Sequence, residues 1–299
     1  MITKKANIVD LELPKKSEFA IETTDDYPKL HSLMVINGKR GGGKTLALCN
    51  FLKEAKKKHY LVLVITPTYN SNKEIWNICD IDKDDVYDPV PGAIKKIMAR
   101  CEAEMDEWEL FLAKKKLYKQ YLKEMGPSGK PIHKIDEDTL IQYYEFNFFQ
   151  EAPEWKYPVE QPPRVAVVLD DCLNSPVMTR PSEGLCNLAI RHRHIMSGAG
   201  ISIFMLVQSY CCLGGVPRCI RENATHLLLF KINQEQQIKK IKEEADLPIT
   251  DEEFNEMLNI AHSEPYQFLM LDFSAKSPTK MFRKGWNQYL IPPSLANKK

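Results

Sequence analysis

Apolar residues in this chain gather into short unbroken runs, at 33–36, 60–65, 164–169, 201–207, 226–231 and 266–272. Unbroken runs of four to seven residues suit strands covered on both faces, as in a parallel sheet. Between them lie longer stretches with helical spacing or charge, at 44–58, 92–125, 182–196, 234–245 and 251–261. Strand and helix therefore alternate, which predicts an α/β fold with a central, mostly parallel sheet flanked by helices. The pattern divides the chain into a leader or edge strand (1–32), a first core part (33–91) and a mainly helical insertion (92–163). A second core part (164–275) and a basic C-terminal tail (276–299) follow.

The first strand runs directly into Gly38-Lys39-Arg40-Gly41-Gly42-Gly43-Lys44-Thr45, and then into the helix that opens with Leu46. G-x-x-x-x-G-K-T between a strand and a helix is the phosphate-binding P-loop. Glycines let successive backbone N–H groups turn inward toward an anion, and the helix N-terminus adds positive potential. Lys44 then reaches the β- and γ-phosphates, and the Thr45 hydroxyl helps to hold Mg²⁺. The loop, Gly38 through Leu46, is the predicted nucleotide site.

Two later strand ends carry matching chemistry. The run at 164–169 ends in Asp170-Asp171, where Asp170 stands in the Walker-B position for Mg²⁺, through water. Asp171 is the candidate to polarise the attacking water, or else it caps the following segment. The run at 201–207 ends in Gln208, either a sensor of the γ-phosphate or a strand-end hydrogen bonder. Arg191 and Arg193 precede that strand, and Arg218 and Arg221 follow it. Lys114-Lys115-Lys116 and Lys119 in the insertion contact phosphates or form a solvated helix face.

Taken together, these motifs and an extra strand between the P-loop and the Asp-bearing strand mark the additional-strand P-loop class. The chain resembles the FtsK–HerA superfamily, and within it the A32-type genome-packaging ATPases of large DNA viruses and virophages. The resemblance is carried by Gly38 to Thr45, Thr66-Pro67-Thr68, Leu169-Asp170-Asp171, Arg191-His192-Arg193-His194, Val207-Gln208-Ser209 and the stretch from Pro217 to Asn223. It implies a RecA/FtsK-like fold and ATP hydrolysis with Mg²⁺. It also implies translocation of double-stranded DNA into a capsid by a homo-oligomeric ring, a pentamer or hexamer. Implied partners are DNA, further copies of the chain and a capsid or packaging-vertex protein. By the same resemblance Arg191 or Arg193 acts in trans, with Arg218 and Arg221 as second choices. A helicase, a conjugation or secretion motor, and a nucleotide-dependent assembly switch are the competing readings.

Bulk composition adds limits rather than direction. The 299 residues are 43% hydrophobic and 27% charged, ordinary for a globular protein, and the net charge is only +1. DNA must therefore be met by local basic patches. No run reaches the roughly 20 apolar residues of a membrane span. Eight scattered cysteines without C-x-x-C spacing predict reduced thiols in a cytosol-like compartment and, with no spanning run, a soluble protein; the resemblance implies the host cytoplasm or a viral factory, with association with the virion an option.

Overall fold

The computed structural model describes residues 31–55, 61–126, 130–211, 215–232 and 234–296. The expected leader, the lysines at 56–58, the Gly-Pro stop at 127–129 and the terminal lysines at 298–299 lie outside the described residues.

Among the described residues, nine strands form one sheet: β1 Leu33–Asn37, β2 Leu61–Ile65, β3 Val86–Tyr87, β4 Val165–Asp170, β5 Ile201–Val207, β6 His226–Phe230, β7 Phe268–Asp272, β8 Phe282–Lys284 and β9 Gln288–Tyr289. Their spatial order is β3-β2-β4-β5-β1-β6-β7-β8-β9. The first six run parallel and the last three antiparallel. Side chains alternate between two faces along each central strand, as a pleated strand demands. Leu33 and Val35 join one core with Val167, Met205 and Leu229, while Met34 and Ile36 join the other with Val168, Leu206 and Leu228.

Each face is covered by helices that bring their own apolar stripe. Helix α1 (Lys44–Ala55) buries Leu48, Phe51 and Leu52 against one face, beside Trp76 from the short α2 (Lys73–Trp76). The other face takes α3 (Ala93–Glu124), α6 (Leu185–Arg191), α8 (Glu235–Ala245) and α9 (Asp251–Ala261). A Thr250–Glu253 capping box fixes the start of α9.

At 32 residues α3 is about 48 Å long, far more than a five-residue strand needs. Its first half packs on the sheet through Ile94, Ile97, Cys101, Met105, Trp108 and Phe111. Its far end leans on α4 (Glu137–Glu145) through Tyr121 against Tyr143, 5.2 Å between ring centroids, and Tyr143 Oη donates to Glu124 at 2.7 Å. The remaining short helices are α5 (Pro176–Thr179), α7 (Arg218–Arg221) and α10 (Pro293–Ala296).

One expectation gains detail and another needs correction. The basic segment after residue 275 is folded through Ala296: Phe282, Leu290 and Leu295 are buried anchors, and Arg283 lies 2% exposed beside the Tyr289 ring. Its strands are two or three residues long, too short to declare themselves by pattern. The thiols are not all reduced, because Cys186 of α6 and Cys219 of α7 form a disulfide. The two helices pack together, so residues 33 apart in sequence meet. Cys49, Cys101 and Cys172 are free thiols among the described residues.

Candidate nucleotide site

All parallel strands point their carboxyl ends at the same edge, and the chemistry collects there. Gly38 leaves β1 with its N–H on Val207 O at 3.1 Å. A Cβ at Gly38 would stand 2.5 Å from Phe230 Cβ, so only glycine lets the loop start so close to β6. Gly43 has φ +91° just before α1, and Ala47 N–H on Gly43 O at 2.9 Å begins the helix. Lys39, Arg40 and Leu46 are exposed and Thr45 is half-buried.

Lys44 turns back over the loop and is 7% exposed. Its ammonium donates to Gly38 O at 2.8 Å and Lys39 O at 2.9 Å. Burial lowers its pKa, while Asp171 and then Asp170 pull it back upward. Both acids are thus within electrostatic reach of the lysine.

Asp170 ends β4 at 3% exposure, and its Oδ2 has no hydrogen-bond partner among the described residues. Burial first, and then the neighbouring Asp171, push its carboxyl up to about 7 against the pull of Lys44. A buried carboxylate oxygen without a donor costs free energy unless something else arrives. With the half-buried hydroxyl of Thr45 it offers hard oxygen donors of the type that suit Mg²⁺, which binds few protein ligands and takes the rest from phosphates and water. The cation would neutralise charge on the phosphates.

Asp171 sits just past β4 in a left-handed conformation, φ 54°. Gln208, just past β5, donates from Nε2 to Asp171 Oδ1 at 2.8 Å. Strands β4 and β5 are neighbours in register, Asp170 opposite Leu206, which brings the two tips together across 37 residues of chain. Thr66, past the end of β2, is buried and its hydroxyl lies 3.1 Å from that of Thr68.

The arginines lie elsewhere. Arg191 and Arg193 are exposed on either side of buried His192, whose carbonyl receives the Ile201 N–H at 2.8 Å where β5 begins. They stand at the amino ends of the strands, the edge opposite Lys44, Asp171 and Gln208. Arg218 is largely exposed and pairs with Glu222 at 2.7 Å. Arg221 is held by both oxygens of Glu244 at 2.9 Å and by Val216 O at 2.7 Å.

Sequence reasoning missed three residues at the site edge. Asn37, fully buried at the tip of β1, lies 3.5 Å from Gln237 Oε1, which also accepts the Tyr210 N–H at 3.1 Å. Tyr266 lies against Gly43. Nothing in a single sequence links residues 200 or more positions apart.

The strand beside the P-loop strand is β5, and the acid-bearing β4 stands beyond it. The fold is that of an additional-strand P-loop NTPase. No family model matches the chain, and no curated relative matches it. Solved structures align loosely. The genome-packaging NTPase B204 of Sulfolobus turreted icosahedral virus 2, in complex with ATP-gammaS, aligns at 11% identity and TM-score 0.38, over 87% of this chain and 98% of that one. EssC (ATPases 2 and 3) from Geobacillus thermodenitrificans aligns at 11% and 0.42, over 89% of this chain and 40% of that one. The pCW3 conjugation coupling protein TcpA aligns at 14% and 0.39, over 86% and 60%. Alignments this loose transfer no role, so the functional reading rests on the chain's own sheet order and site.

Proposed function

We propose that this chain hydrolyses ATP with Mg²⁺ and uses the energy to move double-stranded DNA into a capsid as a ring of identical subunits. The observation that carries hydrolysis is the convergence of four groups at one sheet edge: Lys44, the unpartnered Asp170, and Asp171 bonded to Gln208. In this reading the γ-phosphate draws Lys44 off the loop carbonyls that hold it. Thr45 and, through water, Asp170 would hold Mg²⁺. Asp171, oriented by Gln208, accepts a proton from the attacking water.

The place of Arg191 and Arg193 supports a ring. Phosphoryl transfer gains about 10³–10⁵ in rate from an arginine at the γ-phosphate. Arg191 and Arg193 stand at the far edge of their own sheet, so they serve a neighbour's site in this reading. Arg221 is committed to Glu244, which leaves Arg218 as the freer of the second choices. The DNA-packaging role is supported by the order and spacing of motifs shared with the A32-type ATPases.

The test is ATP turnover measured over a range of protein concentrations, with and without double-stranded DNA. A packaging motor gains specific activity as subunits assemble and gains more with DNA, without separating strands. Activity indifferent to both would overturn the motor; strand displacement would favour a helicase.

A further inference from the structure

We infer that the nucleoside end of the nucleotide lies in the groove between α1 and the β7–β8 edge, with the Tyr266 ring as its platform. The inference rests on the phosphate-site reading above and extends it to the other end of the ligand. Sheet order sets the direction. The acids and Gln208 stand on the β5 side of β1, so the γ-phosphate end points that way. The nucleoside must leave on the other side, toward β6, β7 and β8. Strand β7 runs antiparallel, with Phe268 opposite Phe230, so its first residue lies at the P-loop edge. Lys284 closes β8 opposite Leu269, which sets the turn after it at that edge too.

A groove of about 480 Å³ opens there, within the size range of small-molecule sites. Gly43, Leu46 and Asn50 form one wall, and Tyr266, Gln267 and Trp286 the other. Tyr266 is 69% exposed at φ 62°. A bulky side chain in that region is strained, and here the ring buries little in return. A Cβ on Gly43 would come within 3.1 Å of Tyr266 Cβ and Cδ1, so the ring starts at the P-loop itself. An exposed aromatic face beside a phosphate loop is a stacking surface for a base, tolerant of which base it is. The Asn50 and Gln267 amides carry both donors and acceptors for a base edge or ribose.

The test compares ATP with inorganic tripolyphosphate by calorimetry, on the wild type, Tyr266→Phe, Tyr266→Asn and Lys44→Ala. Asparagine removes the ring yet tolerates the left-handed backbone. The expected result is that Tyr266→Asn weakens ATP about ten- to a hundredfold and leaves tripolyphosphate within about twofold, while Tyr266→Phe binds ATP like the wild type. Lys44→Ala weakens both ligands. Equal losses of ATP and tripolyphosphate in Tyr266→Asn, or no loss of ATP, would overturn the platform. A wild type that binds neither ligand would instead sink the phosphate site, a distinguishable failure.

Discussion

Among the buried carboxylates of the described residues, Glu104 and Asp170 have opposite surroundings. Glu104, in the first half of α3, is fully buried and fully engaged. Arg100 reaches it at 2.7 Å, Lys156 at 2.8 Å and Tyr157 Oη at 3.2 Å. Burial pushes its carboxyl upward, but Lys156 and Arg100 outweigh burial and hold it below the usual glutamate value. Asp170, at the tip of β4, has one oxygen with no partner among the described residues and a carboxyl pushed up to about 7. One acid ties the two ends of the insertion together; the other, in the proposed reading, is left open for a ligand. Burial alone does not distinguish structure from function, whereas hydrogen-bond satisfaction does.

The contrast breaks if the two acids respond alike to loss of charge. Asp170→Asn is expected to cut ATP turnover by at least about a hundredfold, on the scale of losing one stabilising contact to the reacting phosphate. In the absence of nucleotide its melting temperature is expected to hold or rise, since a buried unpaired charge is removed. Thermal melts and turnover assays on the same preparation check both halves. Glu104→Gln should do the reverse: turnover is retained and stability falls by about 1–3 kcal/mol, because Arg100 and Lys156 are each about a third exposed and are rescued in part by water. Urea unfolding measures that loss.

A smaller effect sharpens the same comparison through pH. Asp272, at the end of β7, lies 3.3 Å from His226 Nε2 and accepts from Ser274 Oγ at 2.7 Å. Burial raises its carboxyl, but His226 and Ser274 prevail and hold it at about 2. A depressed carboxylate adds stability that is present above the ordinary value of 3.8 and is lost as pH falls toward 2. Asp272→Asn should therefore be less stable than the wild type at pH 6, and the gap should close between pH 4 and about 2. A gap independent of pH would mean that packing, not charge, sets the difference.

Much of the fold was legible because the five long parallel strands are continuous apolar runs, and such runs have few other uses. The pattern could not reveal β3, β8 and β9, which at two or three residues carry no period. For the same reason the folded segment after residue 276 reads as a basic tail. Lys44 and Asp170 were readable because they sit where readable strands end. The contact between Asp171 and Gln208, the tether of Arg221 to Glu244 and the place of Tyr266 beside Gly43 depend on how strands are ordered in space. The Cys186–Cys219 bond depends on the packing of α6 against α7, which spacing along the chain does not encode.

The central claim is that the edge holding Lys44, Asp170, Asp171 and Gln208 breaks a phosphoanhydride bond rather than merely binding a nucleotide. Asp171→Asn tests it most directly, with ATP affinity and single-turnover hydrolysis measured side by side. The account predicts near-native affinity with hydrolysis slowed by about 10²–10⁴, the usual worth of a positioned general base. Hydrolysis at the wild-type rate, or a loss of rate explained wholly by lost binding, would contradict it.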